Sequence, residues 1–178
     1  AVAANAVLLN FLMLISYGLD GFAYAVEAMV GRAIGQRDRQ KLREAIVLNL
    51  GWAALIATAF TFGFALLGSW LVGQITDIPA VVPEANRHLP WLIAMPLLAV
   101  WCFLLDGVFI GATRAREMRN SMLLAAFGGF FPIWWLCQSW GVAALWAAMA
   151  ALMVGRGLSL GVTCWRLERS GHLLDARH

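Results

Sequence analysis

The sequence predicts an all-α integral membrane protein with five transmembrane helices. Its 178 residues are 62% hydrophobic and only 13% charged, and the mean hydropathy is +0.76, whereas soluble domains carry roughly 25% charged residues. Five apolar runs, each long enough to cross a bilayer as a helix, are separated by short polar segments. None of these runs alternates between apolar and polar residues, as a transmembrane β-strand would.

The first span is expected over residues 6–31, and it carries a polar stripe. Five polar side chains follow one another at spacings of 7, 3, 4 and 3 residues: Asn10, Tyr17, Asp20, Tyr24 and Glu27. These spacings place them on one face of a helix. In a membrane helix such a face is expected to meet other helices or water.

The second and third spans are expected over residues 45–72 and 89–112. Before the second span, the basic segment 32–43 contains Asp38, a plausible helix N-cap. The glycines of the second span form no GxxxG pair, so a dimer motif is not indicated there. The third span is expected to bend at Pro96.

Asp106, near the end of the third span, is the first candidate for function. A carboxylate at membrane depth costs roughly 2.5–3.5 kcal/mol on insertion scales, so it usually faces a protein interior or a wet cavity. Competition between a proton and an organic cation for one carboxylate would couple two fluxes. The alternative is structural: Asp106 could pair with Arg156 and lock the third span to the fifth.

The fourth and fifth spans are expected over residues 121–137 and 142–165. A Gly-Gly pair and Pro132 interrupt the fourth span. The fifth carries Arg156 between two glycines, and we expect this arginine to pair with an acid or to extend toward the membrane surface rather than to contact a substrate.

The basic residues predict the topology. Eleven of the 13 Lys and Arg residues lie in the loops at 32–43 and 113–120 and in the C-terminal tail. By the positive-inside rule these segments are cytoplasmic and residue 1 is external. An external start without a signal peptide implies at least one further span upstream. Because topology explains these charges, no nucleic-acid partner is expected.

No cofactor, metal site or enzyme active site is predicted. The cysteines at 102, 137 and 164 have neither CxxC nor Cys/His spacing. All three histidines lie outside the spans, and no Ser/His pair or His/Asp/Glu cluster lies at membrane depth.

Two segments carry a family resemblance. The runs YGLDGFAYAVEAMVGRAIGQRD (17–38) and LLDGVFIGATRAREMRNSM (104–122) resemble the C-terminal half of multidrug and toxic compound extrusion (MATE) transporters, in particular the DNA-damage-inducible F subfamily. The resemblance implies that the five spans are the eighth to twelfth helices of a twelve-helix protein. They would then belong to a six-helix MATE-like lobe, with one preceding span and the N-terminal lobe missing from this sequence.

The resemblance also implies a function. MATE proteins expel organic, often cationic and amphipathic, compounds in exchange for protons or sodium, and this chain would act in the bacterial inner membrane. Asp106 matches an acidic residue of the tenth helix that helps bind the coupling cation in some members. Asp20 and Glu27 are further coupling candidates, although Asp20 could instead serve helix packing and Glu27 could pair with a loop arginine.

The substrate cavity would include Tyr17, Tyr24 and Asn10. The two tyrosine rings could attract a cation to their faces, or their hydroxyls could instead bond to neighbouring helices. Two other functions stay open, a flippase for lipid-linked substrates and a scaffold without transport. Three embedded acids against one base favour cations over the phosphate that a flippase would bind.

Overall fold

The computed structural model describes residues 2–76, 78–171 and 173, and of Val2 only the main chain. This part of the chain consists of helices joined by short turns and contains no β-strand. The prediction of an all-α membrane protein is confirmed. Four helices are long and apolar enough to cross a membrane: α1 (Val2–Gly35), α2 (Arg39–Ile75), α3 (Val81–Gly111) and α6 (Val142–Ser170).

The fourth predicted span, residues 121–137, is helical but broken into pieces. It comprises α4 (Ala115–Ala125), a π-helical segment (Ala126–Phe130) and α5 (Phe131–Leu136), and the 3-10 turn Gln138–Trp140 follows. The Gly-Gly pair lies inside the π segment, where the N–H of Phe131 donates to the carbonyl of Ala126, five residues earlier. Pro132 has no N–H to continue an α-helical ladder at this point. A full crossing by these pieces stays a prediction.

Helix α3 lies at the centre of the bundle and packs against α1, α2 and α6. It is the most deeply buried of the four long helices, with Leu92, Met95 and Phe109 almost wholly inaccessible. The helix continues through Pro96, and the bend expected there stays a prediction. Because α3 packs against all three other long helices, it carries Asp106 into the interior of the bundle.

Two turns of the same kind close α1 and α3. Arg37 and Thr113 adopt left-handed backbone conformations, with φ of 52° and 56°. The next residue in each turn donates its N–H to a carbonyl five residues earlier, Asp38 to Ala33 and Arg114 to Phe109. This is the Schellman arrangement, which satisfies the last carbonyls of a helix. Asp38 then caps α2 by accepting from the N–H groups of residues 40 and 41, as its position predicted.

The α1–α2 turn and the end of α6 lie together at one end of the bundle. Arg43 lies 3.7 Å from a carboxylate oxygen of Glu168, and the Arg39 guanidinium donates to the main-chain oxygen of Glu168. We call this end, with residues 32–43, 113–120 and 166–170, the basic end. Near the start of both α1 and α6, Trp146 Nε1 donates to Asn5 Oδ1 at 3.0 Å.

Candidate functional site

An ion pair joins the middle of α6 to α3. Arg156 Nη2 lies 2.8 Å from Asp106 Oδ1 and 2.6 Å from Oδ2, so one nitrogen donates to both carboxylate oxygens. The side chains of Arg156 and Asp106 are 13% and 15% exposed. The predicted pair between the third and fifth spans is therefore present. A coupling role for Asp106 stays a prediction.

A third charged residue lies within electrostatic range of this pair. Asp20 of α1 interacts electrostatically with Asp106. On the helix of Asp106 itself, Cys102 Sγ lies 3.8 Å from Oδ2. We call Asp20, Asp106 and Arg156 the charge cluster. With both acids ionised it carries two negative charges against one positive charge, so the pairing leaves a net charge of −1.

Two glycines of α3 bring the backbone of α1, the helix that carries Asp20, close to the helix that carries Asp106. A Cβ atom at Gly107 would lie 2.4 Å from the carbonyl oxygen of Ala23, and one at Gly111 would lie 2.6 Å from that of Glu27. The two helices therefore touch backbone to backbone, which only glycine permits at these positions. Gly107 and Gly111 form a GxxxG pair directly after Asp106, a signal that the predictions from the sequence did not include.

Serine hydroxyls support the arginine side of the cluster. Ser159, one turn after Arg156, donates to the main-chain oxygen of Arg156 at 3.1 Å. The Oγ atom of Ser159 also lies 2.6 Å from the Oγ atom of Ser121 in α4. Within the described residues, the buried Nε of Arg156 has no hydrogen-bond partner. Neither serine was predicted, because serines are common in membrane helices and only the fold brings these two together.

The polar stripe of α1 is only partly buried. Asp20 and Glu27 are half-buried, whereas Asn10, Tyr17 and Tyr24 are exposed on the surface of the described bundle. The structure therefore places Asp20 within electrostatic range of Asp106, while Asn10, Tyr17 and Tyr24 lie along the open side of α1. Among the described residues no ion pair joins Glu27 to the arginines of residues 32–43, and its pairing with a loop arginine stays a prediction.

The described residues contain no cluster of metal ligands. No group of three or more His, Cys, Asp or Glu side chains converges there. Cys102, Cys137 and Cys164 are separate thiols, each buried or half-buried.

Comparison with known proteins identifies the family. The MatE family model matches residues 1–128, a segment that contains Asp20, Asp106 and both glycines of the GxxxG pair. The chain belongs to the MatE family. The resemblance that the motifs predicted is confirmed, and Arg156 lies beyond the segment that the family model matches.

This MatE chain has a relative in Escherichia coli (strain K12), DNA damage-inducible protein F. The two are 42% identical over 171 residues, which cover 96% of this chain and 37% of that protein. The chain therefore spans little more than a third of the length of the relative it matches. No solved structure matches this MatE chain.

Proposed function

We propose that this protein acts in secondary active efflux of organic cations or amphipathic drugs, driven by proton or sodium antiport. The observation that carries the proposal is the contact between Asp106 and Arg156, because it shows a carboxylate in the middle of the bundle already holding a cationic group. Membership of the MatE family supports the same function. The acting unit would be the whole transporter, in which this chain supplies part of the C-terminal lobe.

In this mechanism Arg156 acts as a tethered cation. When no other cation is present, its guanidinium neutralises Asp106. A proton, a sodium ion or a cationic substrate that reaches the cluster must compete with Arg156 for the carboxylate. Since only one of them can hold Asp106 at a time, the binding of one disfavours the binding of the others, and two opposite fluxes become coupled.

The other polar residues of α1 receive roles in this mechanism. Asp20 gives the cluster a net negative charge, which attracts cations. Glu27 would extend the acidic face of α1 toward the basic end. Tyr17 and Tyr24 would present ring faces to a cationic substrate, and Asn10 would offer a hydrogen bond near the other end of the stripe. All five side chains would line the route between the two lobes.

The proposed location is the bacterial inner membrane, with several crossings. The basic end carries most of the arginines, so it would lie in the cytoplasm, and residue 1 would lie outside. The partners of the chain are then the bilayer, the N-terminal lobe and the organic substrate.

A purely structural role of the ion pair is the rival, and the low exposure of its side chains, 13% and 15%, supports it. The test is ethidium efflux from cells that carry the complete gene with Asp106→Asn. We expect efflux to fall at least tenfold while the amount of protein in the membrane stays the same. Unchanged efflux at equal expression would refute the coupling role and leave the scaffold function.

A further inference from the structure

A long apolar groove runs along α3 between α2 and α6. Its volume is about 730 Å³, within the range of roughly 300–1,000 Å³ that small-molecule pockets occupy. Its walls include Leu50 of α2, Leu97 and Trp101 of α3, and Leu158 and Trp165 of α6, and among the described residues Glu168 is its one charged lining residue. Because all three helices are long enough to span a membrane, this groove would open toward lipid.

Glycines of α6 leave the groove open. Gly157 and Gly161 both line it. A Cβ atom at Gly157 would lie 3.3 Å from Trp101 Cβ, whereas one at Gly161 would lie 3.8 Å from its nearest neighbour, Leu105 Cδ1. Gly161 therefore tolerates a side chain sterically, and the space beside it is not required for helix packing.

Arginine side chains lie beside one end of the groove. At this end, a carboxylate oxygen of Glu168 lies 3.7 Å from Arg43 Nε, and the Arg43 side chain is 76% exposed. The main-chain oxygen of Glu168 accepts a hydrogen bond from Arg39. The Arg169 guanidinium lies 5.0 Å from the ring centre of Trp165, another lining residue. Arg39 and Arg43 thus contact Glu168, and Arg169 contacts Trp165. These four charged side chains together carry a net charge of +2 where the groove meets the basic end.

We propose that this groove binds an anionic phospholipid, with an acyl chain along α3 and the headgroup phosphate against Arg43 and Arg169. Apolar walls match the acyl chain, and the net positive charge matches the phosphate, for which arginine has a suitable donor geometry. Basic pockets between helices at a membrane surface are a known setting for anionic headgroups. The charges and the groove together favour lipid over a neutral apolar ligand.

The bundle also contains a natural control. A second groove, of about 420 Å³, lies between α1 and α2, and the described residues that line it are all apolar or glycine, including Leu14, Phe60 and Gly63. A Cβ atom at Gly63 would meet nothing within 4 Å. A side chain there would fill a groove of similar character that has no cationic end.

The experiment is native mass spectrometry of the protein expressed from its complete gene and purified in detergent. Phosphatidylglycerol and phosphatidylcholine with identical acyl chains are added separately. We expect the protein to retain phosphatidylglycerol preferentially, and Arg43→Gln to reduce this preference about fivefold, the effect of one arginine near a membrane surface. Arg87→Gln, which removes an arginine in α3 far from the basic end, should leave it unchanged.

Filling the groove tests the acyl-chain position. Gly161→Leu should abolish the preferential retention, while Gly63→Leu should not, and the melting temperature of each variant reports on folding. Equal retention of the two lipids by the unmodified protein would overturn the proposal, as would unchanged retention in a folded Gly161→Leu variant. If another segment of the same protein occupied the groove, the unmodified protein would retain the two lipids equally. Neither outcome bears on the efflux proposal, which has its own assay.

Discussion

Gly107 of α3 faces the carbonyl oxygen of Ala23 in α1 so closely that a methyl group on its Cα would lie 2.4 Å from that oxygen. The contact is between main chains, so it cannot be relieved by rotating a side chain. It sets the distance between the two helices that carry Asp106 and Asp20. The size of the residue at position 107 therefore controls how closely α1, with Asp20, approaches Asp106 of α3.

The first prediction concerns this contact. Gly107→Ala should lower the free energy of unfolding by about 1–3 kcal/mol, because overpacking forces the two backbones apart. Thermal unfolding in detergent measures this loss of stability. Gly21→Ala in α1 is the matched control, since a Cβ atom there meets nothing within 4 Å, and it should be neutral or slightly stabilising. Equal stability of the two variants would show that the helices are free to adjust.

The second prediction concerns the ion pair. Arg156→Gln should destabilise the protein by about 3–5 kcal/mol, because it leaves Asp106 as an uncompensated charge. The double variant Asp106→Asn with Arg156→Gln should recover much of this loss, because neither position of the pair then carries a charge. Melting temperatures of the two single variants and the double variant give the coupling energy. Additive losses would mean that the two side chains act independently in the folded protein.

The third prediction concerns the α3–α4 turn. Thr113 is β-branched and has a φ of 56°, a left-handed conformation that costs a non-glycine residue roughly 1–2 kcal/mol. Thr113→Gly should raise the free energy of unfolding by about 1 kcal/mol. Ala112→Gly is the control: its φ is −84°, so glycine adds only flexibility and should destabilise. A loss of stability in Thr113→Gly would show that the hydroxyl, which donates to the Ala112 oxygen, outweighs the backbone strain.

The fourth prediction is a pH dependence at the start of α2. The main-chain N–H of Lys41 bonds to Asp38 and lowers the pKa of that carboxyl below its ordinary value of 3.8. A carboxyl whose pKa is lower in the folded state stabilises the fold above its unfolded pKa, and the effect is lost as the pH falls through the folded pKa. At neutral pH the unmodified protein should therefore have a higher melting temperature than the Asp38→Asn variant.

The difference in melting temperature between these two proteins should shrink as the pH falls below about 3.8. The side chain that Asp38→Asn introduces can still cap the helix but does not titrate, so this variant isolates the contribution of the charge. Glu44→Gln serves as the control, because it removes an exposed carboxylate of the same helix beyond its first turn. A difference that is independent of pH would show that the Asp38 charge contributes nothing.

Much of the candidate site could be predicted from the sequence. Asp106 and Arg156 were both identified because charges inside apolar runs are rare, and even their pairing was proposed as one alternative. The Asp38 cap was found because its signal is local. The role of Gly107 and Gly111 was missed although their spacing is visible, because a GxxxG pair does not reveal which helix it will touch. The hydroxyl contact of Ser121 with Ser159 had no visible signal, since the residues come from different helices.

The sequence by itself determined that this protein is an all-α membrane protein of the MatE family, because hydrophobic length and the motifs around Asp20 and Asp106 are properties of continuous segments. Only the tertiary structure decided that Arg156 neutralises Asp106, with Asp20 close by. Asp106 and Arg156 are 50 residues apart in the chain, and their contact depends on which faces of α3 and α6 meet. Packing of small residues selects those faces, and it is a relation between helices that no single segment contains.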